Sequence, residues 1–98
     1  MNLTEIRELA QSVCSELQVK RLDVFGSVAR DQDHAASDID FLVEFENPGS
    51  KPSKRFFKLL HYLEDHLGRD VDLLTTSSLK NPYLRRRVLA ERVNVYGR

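Results

Sequence analysis

Val24-Phe25-Gly26-Ser27-Val28-Ala29-Arg30 and, after Asp31 to Ala36, Ser37-Asp38-Ile39-Asp40-Phe41-Leu42-Val43-Glu44-Phe45 are the two stretches that decide the fold. The residues leading into Gly26, from Val19 to Phe25, read as a short strand that the glycine ends. Residues 39–45 are β-rich and mostly apolar, as expected of a strand buried on both faces. Between the strands, Ser27 to about Arg30 has room to open a short helix, and Asp31 to Ala36 is polar loop. A glycine permits a tight turn and close backbone approach. A serine at a helix start offers its hydroxyl, its N–H and the positive end of the dipole, which suit a phosphate. Arg30, one turn further on, reaches in the same direction. Asp38 and Asp40 lie at i and i+2, so they share a strand face, where their oxygens suit a hard cation.

The rest of the chain reads outward from this pair. Leu3, Ile6, Leu9, Ala10, Val13, Cys14 and Leu17 recur at spacings of three and four, which predicts an amphipathic helix over residues 3–17. Asn2 or Thr4 is placed to cap it, Asn2 pairing with Glu5. Cys14 falls on the apolar stripe and reads as a small buried hydrophobe rather than a nucleophile. Asn47-Pro48-Gly49-Ser50 is a turn cluster. Ser53 is the expected cap of a helix over 54–67, with the stripe Phe56, Leu59, Leu60, Leu63 and Leu67 and a stop at Gly68. Val71 to Leu74 predicts a third strand. Asn81-Pro82 has the chemistry of a helix start, and that helix runs to about Glu91 with Leu84, Val88 and Leu89 inward. Val93 to Tyr96 alternates like a last strand, closed by Gly97. The order α-β-α-β-α-β-α-β predicts an α/β (α+β) fold, a small mixed sheet with helices packed on it.

Composition narrows the function. Ninety-eight residues make one domain, 1–98, which buries roughly 65% of its unfolded surface. Fifteen basic and fifteen acidic residues cancel, which argues against a general nucleic-acid binder. No apolar run has the eighteen or so residues of a membrane span, and the N-terminus lacks the pattern of a signal peptide. With a lone cysteine, no internal disulfide forms. A cytoplasmic location fits these features.

Two ions held by paired carboxylates clamp the attacking and leaving oxygens of an in-line displacement. Such a site wants a third carboxylate from a neighbouring strand. Asp72 is the best candidate, because a charge inside an apolar strand is costly unless used. Asp70, at the start of that strand, reads as a solvated turn residue. His34 reads as a loop residue, and His61 and His66 as surface residues. Phe56, Phe57, Tyr62 and Tyr83 are mostly core candidates. Lys80, Arg85, Arg86, Arg87 and Arg92 read as a solvated helix face, the three consecutive arginines pointing in different directions.

The combined pattern, Gly-Ser, then Ser-Asp-x-Asp, then a later strand Asp, resembles the polymerase-β-type nucleotidyltransferases. The wording of residues 25–30 and 37–45, and the tail Val88 to Tyr96, is similar to the minimal nucleotidyltransferase branch. The resemblance implies a polymerase-β-like fold over almost the whole chain. It implies that Gly26 and Ser27, with Arg30 and Ser37 in the same motifs, bind the triphosphate of ATP. Asp38 and Asp40 match the ligands of two Mg²⁺ ions. Asp72 matches the third carboxylate, which helps to activate the acceptor hydroxyl. Asp31 departs from the family pattern, where many relatives have glycine. Asp tolerates left-handed backbone better than most residues.

The implied reaction is attack of an acceptor hydroxyl on the α-phosphorus of ATP, with pyrophosphate leaving. The chain has little length to hold a large acceptor, so a partner presents it. The minimal branch implies an antitoxin whose partner is a HEPN-type RNase toxin, modified on a tyrosine. Two other expectations stand beside this one. One is a non-catalytic antitoxin that neutralises its partner by binding. The other is an aminoglycoside-like small-molecule nucleotidyltransferase.

Overall fold

In a computed structural model, the described residues are 3–26, 38–46 and 52–97. They form three α-helices and four strands in the expected order, the short helix expected at Ser27 to Arg30 lying outside the described residues. These are α1 (Leu3–Cys14), β1 (Val19–Phe25), β2 (Ile39–Phe45), α2 (Pro52–Leu67), β3 (Val71–Thr75), α3 (Pro82–Glu91) and β4 (Val93–Gly97), with a single 3₁₀ turn at Thr76–Ser78 after β3. The sheet is mixed, in the order β3-β2-β1-β4. β1 runs antiparallel to both β2 and β4, whereas β2 and β3 are parallel. The unit β2-α2-β3 is therefore a crossover, and a helix is what parallel neighbours require between them.

The two sheet faces carry different loads. Leu22 and Val24 of β1, Ile39, Phe41 and Val43 of β2, and Leu73 of β3 form the main core with Ile6, Ala10, Val13 and Cys14 of α1 and Leu59 and Leu63 of α2. On the opposite face Leu42 meets Leu79 and Val88, with Phe25, Leu74 and Leu89 packed against them. Thus β2 is buried on both sides along Phe41-Leu42-Val43, as its apolar run suggested. Among the described residues, α3 and Leu79 before it cover the second face, and they do so through few side chains. Two positions on that helix differ from expectation. Leu84 is 45% exposed rather than inward, because Val88 and Leu89 provide the contact with the sheet. Tyr83, 80% exposed, is not a core residue. Phe57 is likewise exposed and stacks edge-on against Phe56 at the surface of α2.

Local chemistry sets the ends. α1 stops at Cys14, not at residue 17: residues 15–18 turn, and Gln18 takes a left-handed φ of 57°. Leu17 still donates its N–H to Val13 O and stays buried, so its place in the apolar stripe survives the helix end. The Asn2 cap lies outside the described residues, and Thr4 sits within the helix. α2 begins at Pro52, one residue before Ser53; proline suits a first turn because its missing N–H would be unpaired there. Gly68 follows α2 with a φ of 65° and donates to Glu64 O, the expected stop. Asn81 caps α3, its side chain accepting from the N–H groups of Tyr83 and Leu84, with Pro82 following. No helix among the described residues is long and apolar enough to cross a membrane.

Candidate functional site

The register brings the sequence-predicted acids together. Asp40 pairs with Phe25 across the antiparallel β1-β2 ladder and with Asp72 across the parallel β2-β3 ladder. Residues paired in register share a sheet face, so Asp40 and Asp72 both project on the α3 side. Asp38 stands two residues before Asp40, at the mouth of β2, and is exposed. The β2-β3 ladder begins there, where Ile39 N donates to Asp70 O at 3.1 Å. Asp70 thus serves the turn through its backbone.

Gly26 follows β1 at once, with a φ of 75°. A Cβ at this position would run into the Asp40 carboxylate, its Cγ only 3.2 Å away. The glycine both makes the turn and leaves the space in which the Asp40 side chain stands. Ser27, Arg30 and Ser37, and with them Asp31 and His34, lie outside the described residues.

The burial of Asp72 differs from the sequence argument. Asp72 is exposed, because β3 is an edge strand whose start opens to solvent. The desolvation cost that singled it out does not apply; its register opposite Asp40 is what places it in the site. Among the described residues, no three His, Cys, Asp or Glu side chains converge as a ready ligand cluster. The donor set still fits Mg²⁺, which takes one or two carboxylates and completes its shell with water and phosphate.

One buried acid was missed. Asp23, two residues before Phe25 on the same face, is 1% exposed. It accepts from Arg21 Nε at 2.9 and 2.8 Å, Arg92 Nη1 at 3.3 Å and Asn94 Nδ2 at 3.1 Å. This knot joins β1 to β4 and to Arg92, the residue that ends α3. The signal was present: a charge between Leu22 and Val24 obeys the argument applied to Asp72. The arginine run is also more tied than a plain solvated face. Arg85 donates to Thr76 O at 3.2 Å, and Arg87 pairs with Glu91 at 3.6 Å. His61 and His66 are at the surface as expected; His66 stacks on Tyr62 with ring centres 4.0 Å apart. Cys14 is fully buried, and burial pushes its thiol up to about 12.

The nucleotidyltransferase domain model matches residues 6–95. The chain belongs to the nucleotidyltransferase domain family. A Methanocaldococcus jannaschii protein assigned as a protein adenylyltransferase, MJ0435, is 40% identical over 95 residues, 97% of this chain and 99% of that one. A solved structure assigned as a minimal nucleotidyltransferase superposes with a TM-score of 0.78 at 36% identity, covering 95% of each chain. The fold is also that of one chain in the complex of a tri-AMPylated Shewanella oneidensis HEPN toxin with an MNT antitoxin, with a TM-score of 0.60 at 22% identity over 99% of this chain and 71% of the other. The nucleotidyltransferase domain therefore has the small mixed sheet and the minimal architecture that its sequence implied.

Proposed function

We propose that this nucleotidyltransferase moves AMP from ATP to a hydroxyl of a partner protein in the cytosol, and that the partner is a HEPN-type toxin modified on a tyrosine. The observation that carries the reading is the in-register pair Asp40 and Asp72 beside the Gly26 turn. The relative MJ0435, assigned as a protein adenylyltransferase, supports the reaction class. The tri-AMPylated toxin held by its antitoxin supports the kind of partner.

The chain's own residues divide the work. Gly26 lets a phosphate approach the backbone, and Ser27, Arg30 and Ser37 of the same motifs supply donors to it. Asp72, on the edge strand, faces solvent from which an acceptor hydroxyl arrives. It takes the hydroxyl proton as the acceptor oxygen bonds to the α-phosphorus and the bond to pyrophosphate breaks. Asp38, Asp40 and Asp72 would hold Mg²⁺, which neutralises charge on the phosphates. The exposure of Asp72 on an edge strand suits a macromolecular acceptor.

The test is transfer of label from α-³²P-ATP to the co-expressed partner. Labelled partner with wild type, and none with Asp38→Ala plus Asp40→Ala, is expected. Absence of label with wild type, or equal label with the double variant, would refute the reading. Growth rescue by that double variant at normal expression would replace catalysis with neutralisation by binding.

A further inference from the structure

Tyr83 is the most exposed aromatic side chain among the described residues, and neither apolar cluster includes it. Its backbone is nevertheless held. In the first turn of α3 its N–H donates to Asn81 Oδ1 at 2.9 Å. The fold thus fixes where this residue stands and leaves its phenol in solvent.

That place is the acid end of the sheet. Leu42 and Leu74, which pack with Leu79 and Val88, stand two residues after Asp40 and Asp72 on the same strands. Alternate residues share a face at about 3.3 Å per residue, so the acids lie about 7 Å beyond the rows that α3 covers. The two flanks of α3 point to opposite ends of the strands. Arg85 donates to Thr76 O, just past the far end of β3. Leu84 and Arg87 line a cleft with Gly26, at the acid end. Successive helical residues turn by about 100°, so residues 83 and 85 lie nearly opposite, whereas 83 and 87 are neighbours on the helix surface. Tyr83 is therefore on the Arg87 flank. The direction of the helix decides which strands it stands over. Leu79, just before α3, meets Leu42 of β2, and Arg92, at its end, meets Asp23 of β1. The first turn accordingly sits toward β2 and β3, the strands that pair Asp40 with Asp72.

We propose that Tyr83 is an acceptor in its own chain, adenylylated intramolecularly when no partner is bound. The inference rests on the proposed transfer of AMP from ATP, and the phenol is the same type of hydroxyl as the proposed acceptor of the partner. The Tyr83 oxygen bonds to the α-phosphorus as the bond from that phosphorus to pyrophosphate breaks, and the phenolic proton passes to Asp72. The products are a tyrosyl-AMP phosphodiester and pyrophosphate. A hydroxyl held in the same molecule needs no encounter, which favours it over a free acceptor. The attached nucleotide then stands at the end of the sheet where the partner's hydroxyl enters, so the modified chain is the slower enzyme.

The test incubates the full chain with α-³²P-ATP and Mg²⁺, alone and with its co-expressed partner. It compares wild type, Tyr83→Phe, Tyr96→Phe and Asp38→Ala plus Asp40→Ala. Tyr96 is half-buried on β4, at the other edge of the sheet. Wild type alone should take up label at a first-order rate that dilution leaves unchanged, and mass spectrometry should map it to the peptide carrying Tyr83. Tyr83→Phe should lose nearly all of that label, keep its melting temperature and still label the partner. Tyr96→Phe should match wild type, and the double variant should label nothing. A labelled partner beside an unlabelled wild-type chain overturns the inference and leaves the proposed function standing. Self-label that survives in Tyr83→Phe, or a rate constant that rises with protein concentration, also overturns it. So does loss of both labels in Tyr83→Phe, which would make Tyr83 part of the transfer to the partner. Label on neither protein with wild type overturns the proposed function as well.

Discussion

The missing Cβ of Gly26 is the space that the Asp40 carboxylate occupies. Gly26→Ala meets two penalties, a clash with Asp40 and a φ of 75° that side chains disfavour. The left-handed backbone alone costs about 1–2 kcal/mol. The displaced carboxylate belongs to the proposed reaction centre, so transfer to a partner should drop by more than the melting temperature suggests. Chemical denaturation and single-turnover transfer on the same preparation compare the two losses.

Asp72 offers the opposite separation. Its side chain is exposed on an edge strand, so Asp72→Asn should change stability by less than about 0.5 kcal/mol. Transfer should nevertheless collapse. Unfolding midpoints that fall by several degrees in this variant would assign Asp72 a structural role instead.

Asp23 carries stability rather than chemistry. Asp23→Ala leaves Arg21, Arg92 and Asn94 without their shared acceptor. Both arginines are about a quarter exposed and regain some hydration, so the expected loss is about 2–3 kcal/mol, below the full cost of a broken buried pair. A double-mutant cycle with Arg92→Ala should show positive coupling between the two positions. Additive losses would mean that the pair is idle.

The thiol of Cys14 gives a pH signature. Burial raises it from 9.0 to about 12, so the unfolded chain releases this proton first as pH rises. Above pH 9 the native state therefore loses stability with pH through this group. Cys14→Ala, itself costing about 1 kcal/mol, should flatten that part of the decline between pH 9 and 10.5 in denaturant titrations. An identical slope in the two proteins would refute it. Native protein should also react slowly with Ellman's reagent at pH 8 and rapidly in urea.

The cap of α3 is separable from everything else. Asn81→Ala removes the acceptor for two backbone N–H groups and should cost about 1 kcal/mol. Because α3 covers its sheet face through few side chains, hydrogen exchange should rise first in residues 83–86.

Strand positions and the acid pair were legible because each rests on period and punctuation that neighbours do not override. Gly26, Gly68 and Asn81-Pro82 ended or started their elements where local chemistry said they would. Leu84 and Tyr83 were not legible, since helical periodicity does not show how much of a helix its sheet will cover. α1 ended early although Leu17 kept its apolar contact, because burial needs a position and not a helix. Asp72 was found by an argument from burial that the edge position of β3 removes. Asp23, where that argument does apply, needed its partners Arg92 and Asn94, about seventy residues away, to be seen.

The parallel pairing of β2 with β3 has a consequence in time. Asp38 and Asp40 leave the ribosome some thirty residues before Asp72, and only the α2 crossover brings the last acid alongside. On the proposed mechanism, a nascent chain ending short of β3 lacks Asp72, the acid that takes the hydroxyl proton. The acid set of that mechanism is complete only once β3 has paired with β2.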